Sequence, residues 1–123
     1  MSNWRKEALE YYKNWMKEKT FSPALKSLIR ITKKGWEHIS SGSKSRHRNE
    51  KDKANRFNLL KVAKYIINNS NVYFVSYKNK EKYFILEDKV VITLNNKKKL
   101  TKVKVIIKED RLGNKYFYSV KKK

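Results

Sequence analysis

The chain has 123 residues, 39% hydrophobic and 13% aromatic, which is enough apolar mass for one folded core and excludes global disorder despite 35% charge. Lys and Arg number 32 against 11 Asp and Glu, a net charge of +21, and there is no Cys, so disulfides, thiolate zinc sites and cysteine nucleophiles are excluded. No apolar run reaches the ~18 residues of a membrane span. Met1 to Glu7 contain no apolar signal core, so a cytoplasmic site of action and no membrane partner are expected.

Residues 3–18 read as an amphipathic helix, with Trp4, Ala8, Tyr11, Tyr12, Trp15 and Met16 at the spacing of one face. It should stop near Lys19, because Thr20-Phe21-Ser22-Pro23 brings turn chemistry and the only Pro. Leu28 to Thr32 is short, β-branched and alternating, which suits a strand. Thr32 suits an N-cap for a short helix over 33–40, with Trp36 and Ile39 inward. Residues 40–53 are rich in Ser, Lys and Arg and read as an exposed loop. A second strong helix covers 53–69, its buried face marked by Phe57, Leu60, Ala63, Ile66 and Ile67.

The remainder is β. Strands are expected at 72–77, 83–86 running into 90–94, 100–108 and 115–121. Lys78-Asn79-Lys80, Asn95-Asn96-Lys97 and Leu112-Gly113-Asn114 supply the turns between them, and Glu87-Asp88-Lys89 is a candidate turn or bulge inside the second run. Short connections imply an antiparallel meander of about four strands. Val103, Val105 and Ile107 alternate with Lys102, Lys104 and Lys108, so one sheet face should pack on helices and the other carry cations. The reading is a single α+β domain over 1–123, N-terminal helices on a C-terminal meander.

Composition bias does not account for the charge, since genes rich in Lys codons favour Glu too, and this chain has 26 Lys but 8 Glu. The excess is spread along the chain, about +5 over residues 1–43, +6 over 44–64 and +10 over 65–123. A polyanion is the expected partner: nucleic acid first, RNA with DNA as the alternative, ahead of an anionic membrane surface or an acidic protein.

The sequence holds no Asp-x-Asp spacing, no His at metal-ligand spacing and no Gly-rich phosphate loop, so neither a metal nor a cofactor is expected. Metal-free cleavage of RNA by the adjacent 2′-hydroxyl needs a base, an acid and cations on the phosphate oxygens. The window from His38 to Arg56 holds both histidines with Lys44, Arg46, Arg48, Lys51, Lys53 and Arg56, including three of the six Arg. Arg matches phosphate with a planar fork, and histidine titrates near neutrality. His38 lies between Trp36 and Ile39 and has packing as its other reading. His47 lies between Arg46 and Arg48, with a solvated basic loop as its other reading. Tyr116, Tyr118, Ser119 and Thr101 could add hydroxyls, and Lys102 and Lys104 add cations.

The order of parts, with Ile31-Thr32-Lys33-Lys34-Gly35-Trp36-Glu37-His38-Ile39 ahead of a basic His-containing loop, a helix, a meander and a last strand with Tyr and Ser, resembles the barnase–EndoU–colicin–RelE superfamily of small metal-independent ribonucleases. Its phage-associated and contact-dependent toxin branches are the most similar. The resemblance covers residues 28–121 and leaves the helix at 3–18 without a counterpart. It implies a toxin-like endoribonuclease acting on tRNA or ribosome-associated RNA. It carries over to His38, Arg46, His47, Tyr118 and Ser119 as site residues. An acidic antitoxin or immunity protein is a candidate partner. Two other readings stand beside it: a non-catalytic nucleic-acid binder using a cationic sheet with exposed aromatics, and a phage-encoded inhibitor that fills a nucleic-acid channel of a host complex.

Overall fold

Among the described residues, three helices and six strands follow one another: α1 (Trp4–Met16), β1 (Thr20–Ser22), β2 (Ser27–Arg30), α2 (Lys33–Ser41), α3 (Glu50–Asn69), β3 (Phe74–Lys78), β4 (Glu81–Leu94), β5 (Lys97–Glu109) and β6 (Lys115–Lys122). The structure, a computed structural model, describes the backbone of residues 4–41, 50–94 and 97–122 and the side chains of 6–37, 58–92 and 97–121. The strands form one sheet in the order β1-β2-β6-β5-β4-β3. All neighbours are antiparallel except β2 and β6, which run parallel with Ile29 opposite Lys115 and Arg30 opposite Tyr116.

One face of this sheet and the helices enclose the core. Val103, Val105 and Ile107 of β5, Phe84, Leu86 and Ile92 of β4 and Phe117 of β6 are buried against Tyr12 and Trp15 of α1 and Leu60, Ala63, Ile66 and Ile67 of α3. The period of two along β4 and β5 and the 3–4 spacing on α1 and α3 therefore meet in one layer. The indole N–H of Trp15 donates to the Thr20 hydroxyl at 2.9 Å, so the buried ring leaves no polar atom without a partner. Leaving it unpaired would cost about 1–3 kcal/mol. The Tyr12 hydroxyl donates to the Thr32 carbonyl, which ties α1 to the start of α2. Gly35 permits that approach: a Cβ there would stand 2.5 Å from the Tyr12 hydroxyl oxygen and 2.9 Å from the Phe117 carbonyl oxygen.

The α+β class holds, but the sheet has six strands where about four are expected from the sequence. The two strands beyond the meander come from the N-terminal half, and one of them, β2, overlaps the strand expected at 28–32. Thr20–Ser22, read as turn chemistry, is β1, paired with β2 in a hairpin ahead of α2. Glu87-Asp88-Lys89 does not break its strand, because β4 runs unbroken from Glu81 to Leu94 and each of the three pairs with β5. Helix α2 runs to Ser41 and α3 starts at Glu50, so residues 40–41 and 50–53 of the loop expected over 40–53 are helical. The irregularity lies in β6 instead, where the register against β5 shifts between Ile106 and Ile107 and Tyr118 becomes the extra residue. The β3–β4 turn falls as expected, with Asn79 and Lys80 at φ 52° and 67°. Positive φ at both central residues matches the twist of a two-residue hairpin.

Candidate nucleic-acid interface

Since successive residues of a strand point to opposite faces, the residues between the core positions define the second face of the sheet. Among the described residues no helix covers it: Phe21, Leu28, Phe74, Val91 and Leu100, all at these in-between positions, are exposed. The register arranges this face in rows. The first row runs Arg30, Tyr116, Lys108, Tyr83 and Ser76 across five strands. The next runs Ser119, Ile106, Ile85 and Phe74. Beyond it come Lys121, Lys104 and Glu87, and then Lys102 opposite Lys89.

The bulge at Tyr118 completes the first row. Its ring packs on Tyr83 with centroids 5.6 Å apart, and the Lys108 ammonium lies 5.8 Å from the Tyr118 centroid. Lys108 also pairs with Glu81 at 3.1 Å, and the Tyr83 hydroxyl donates to the same carboxylate at 2.8 Å. On the other side, the Tyr116 hydroxyl donates to Asp110. Asp110 also accepts from the backbone N–H of Leu112 at 2.9 Å and of Asn114 at 2.8 Å, and Arg30 donates to Asn114 at 3.1 Å. Asp110 thus ties the β5–β6 turn, whose Gly113 sits at φ 87°, to the ring at the end of the sheet.

At this end the sheet and the start of α2 frame a cleft of about 790 Å³. Lys33, Lys34, Lys80, Lys82, Lys108 and Arg111 reach it, against Glu81, Glu109 and Asp110, with Tyr116 and Tyr118 on its wall. Lys82 and Lys108 are paired with Glu109 and Glu81. No ion pair is recorded for Lys33, Lys34, Lys80 or Arg111 among the described residues.

Asp110, Tyr83 and Tyr116 are held away from neutrality. The hydrogen bond from Tyr116, reinforced by the turn, holds the Asp110 carboxyl down at about 2. Loss of solvent and the bond to Glu81 push the Tyr83 hydroxyl up to about 12. The Asp110 carboxylate raises Tyr116 as well. At neutral pH these tyrosines donate protons in hydrogen bonds and Asp110 stays an anion. The combination provides cation contacts, hydroxyl donors and ring faces suited to phosphates and bases. It provides no group among these three for proton transfer near pH 7.

The residues expected from the sequence fall out unevenly. Lys44, Arg46, His47 and Arg48 lie outside the described residues. His38 lies in α2, and Lys51, Lys53 and Arg56 lie in α3, but their side chains also fall outside the described part. Lys102 and Lys104 take positions on the open face. Tyr118 lines the cleft. Ser119 is buried opposite Ile106 one row away and does not line the cleft, which separates it from Tyr118. Thr101 stands opposite Val90, on the helix-facing register. The sequence reading passed over Tyr83, Arg30, Lys33, Lys34 and Arg111. For Tyr83 a signal existed, since it alternates with the buried Phe84 and Leu86. For the others none did, because only the parallel β2–β6 pairing and the packing of α2 on β6 bring them to one end.

The chain belongs to the family described as large polyvalent protein-associated domain 3, whose model matches residues 1–118. No curated protein and no solved structure matches it.

Proposed function

We propose that this member of the family binds single-stranded RNA across the open face of its sheet and into the cleft at its end. One observation carries the reading. On a face that no helix covers among the described residues, lysines stand directly opposite lysines, Lys104 against Lys121 and Lys89 against Lys102, with the row of tyrosines further along the same face. Like charges directly opposite on a sheet are destabilising, and an anionic backbone lying over them removes the penalty. The Tyr83–Tyr118 pair offers ring faces for bases, and cations alternate with it at the spacing of neighbouring strands. Titration of a fluorescent single-stranded RNA tests it. Wild-type protein should bind with a steep salt dependence. Tyr83→Ala and Tyr118→Ala should each weaken binding by about 1–3 kcal/mol, the value of one stacked base. A flat salt profile, or tyrosine variants that bind like wild type, would refute it.

Metal-independent cleavage of the bound RNA is the second reading, favoured by the position of α2. This helix begins at the cleft with Lys33 and Lys34 and carries His38 further along, and His47 follows it in the sequence. The histidines would supply the proton transfer that Tyr83, Tyr116 and Asp110 do not. Incubation with total RNA in EDTA should then give discrete fragments ending in a 2′,3′-cyclic phosphate. His47→Ala should retain binding and melting temperature and lose cleavage by at least ~10². Full activity in the double His38→Ala/His47→Ala variant would remove this reading and leave the binding reading standing.

A further inference from the structure

The longest uncharged run in the chain is the thirteen residues 65–77, in a protein with 35% charged residues. Its last four residues, with Lys78, form β3, an edge strand of the sheet, and all five residues of that strand are exposed. The exposure includes large apolar side chains on both faces of the strand: Tyr77 at 69%, Phe74 at 55% and Val75 at 43%, with Val72 and Tyr73 just ahead of them. Among the described residues, its outer backbone edge has no strand beside it. Proteins normally protect such an edge with charge, proline or brevity. The opposite edge of this sheet follows that rule, since β1 is three residues long. At β3 a chain with 26 lysines places none before Lys78.

We infer that β3 is a docking edge for an acidic extended segment of a partner protein, which adds to the sheet as a seventh strand. Backbone hydrogen bonds along the edge would hold it, and alternate apolar side chains would cover Phe74, Val75 and Tyr77. The acidic character follows from the surroundings. Lys78, Lys80 and Lys82 close the strand and its turn, and Lys80 and Lys82 reach the cationic cleft. The domain as a whole carries +21, so a second copy would bring two such charges together, whereas an acidic segment neutralises part of one. This inference does not depend on RNA binding.

A labelled peptide of alternating Val and Thr, flanked at both ends by Glu-Asp, provides the probe. With the full chain in about 150 mM salt, where diffuse attraction is screened beyond ~8 Å, its anisotropy should rise saturably. Amide exchange should slow at 74–78. Val75→Glu and Tyr77→Glu should each weaken binding at least ~10-fold while leaving the melting temperature unchanged, since both side chains are exposed. The same peptide N-methylated at alternate residues, which cannot donate along the edge, should bind no better than background. Equal binding of the N-methylated peptide or of poly-Glu would show charge alone and overturn the inference, as would no binding at millimolar peptide. Sedimentation as a dimer that Tyr77→Glu dissociates would also overturn it, by assigning the edge to a second copy.

Discussion

Replacing Lys104 and Lys121 together by Gln should weaken RNA binding and raise thermal stability at the same time. The two face each other across β5 and β6, on the uncovered side of the sheet. Lys104 also stands opposite Glu87, but Glu87 keeps Lys102 at 3.5 Å, so removing Lys104 does not leave that carboxylate without an ion pair. In the free protein the substitution relieves a like-charge pair, and the gain should be about 0.2–1 kcal/mol, the size of a cross-strand charge interaction. In the complex it removes two phosphate contacts, each worth ~0.7 in the slope of log affinity against log salt for a single strand. The slope should therefore fall by about 1.4, and between 50 and 200 mM salt the variant should lose roughly sevenfold less affinity than wild type. A melting scan without RNA and an RNA titration at four salt concentrations read the two effects separately. Lower stability with an unchanged salt slope would mean that these lysines serve the fold, and the interface argument would be wrong.

Gly35→Ala should lower the melting temperature even though alanine is worth ~1 kcal/mol more than glycine inside a helix, because its Cβ would enter the contact with the Tyr12 hydroxyl and the Phe117 carbonyl at 2.5 and 2.9 Å. Overpacking of this kind costs about 1–3 kcal/mol, and a variant as stable as wild type would show that α2 can shift off β6. Asp110 is held at about 2 against an ordinary 3.8, so its folded form favours the anion. Its contribution to stability is complete above pH 4 and disappears as pH falls towards 2. Asp110→Asn should therefore be less stable than wild type at pH 7, with the difference closing between pH 4 and 2. A difference that stays constant over that window would contradict the hydrogen-bonding assigned to Tyr116 and the turn.

Local pattern determined much of this protein. The spacing of Ala8, Tyr12 and Trp15, and of Leu60, Ala63, Ile66 and Ile67, specifies helices with a buried stripe, because 3.6 residues per turn is a property of the backbone alone. The alternation of Val103, Val105 and Ile107 with lysines determined that the sheet has one buried and one cationic face, and Asn79-Lys80 and Gly113 marked their turns. What the sequence could not express is which distant segments become neighbours. β1 is too short to signal itself, and β2, though its alternation is legible, is held in place by a parallel pairing with β6 more than eighty residues later, which no local pattern expresses. That pairing brings Arg30 beside Tyr116, and the packing of α2 on β6 brings Lys33 and Lys34 to the same cleft. The bulge at Tyr118 likewise depends on the partner strand, since a register shift is a relation between two strands. The helices, the faces and the turns follow from local periodicity. The tyrosine row, the cleft and the exposed edge at β3 follow from strand order, which only long-range packing decides.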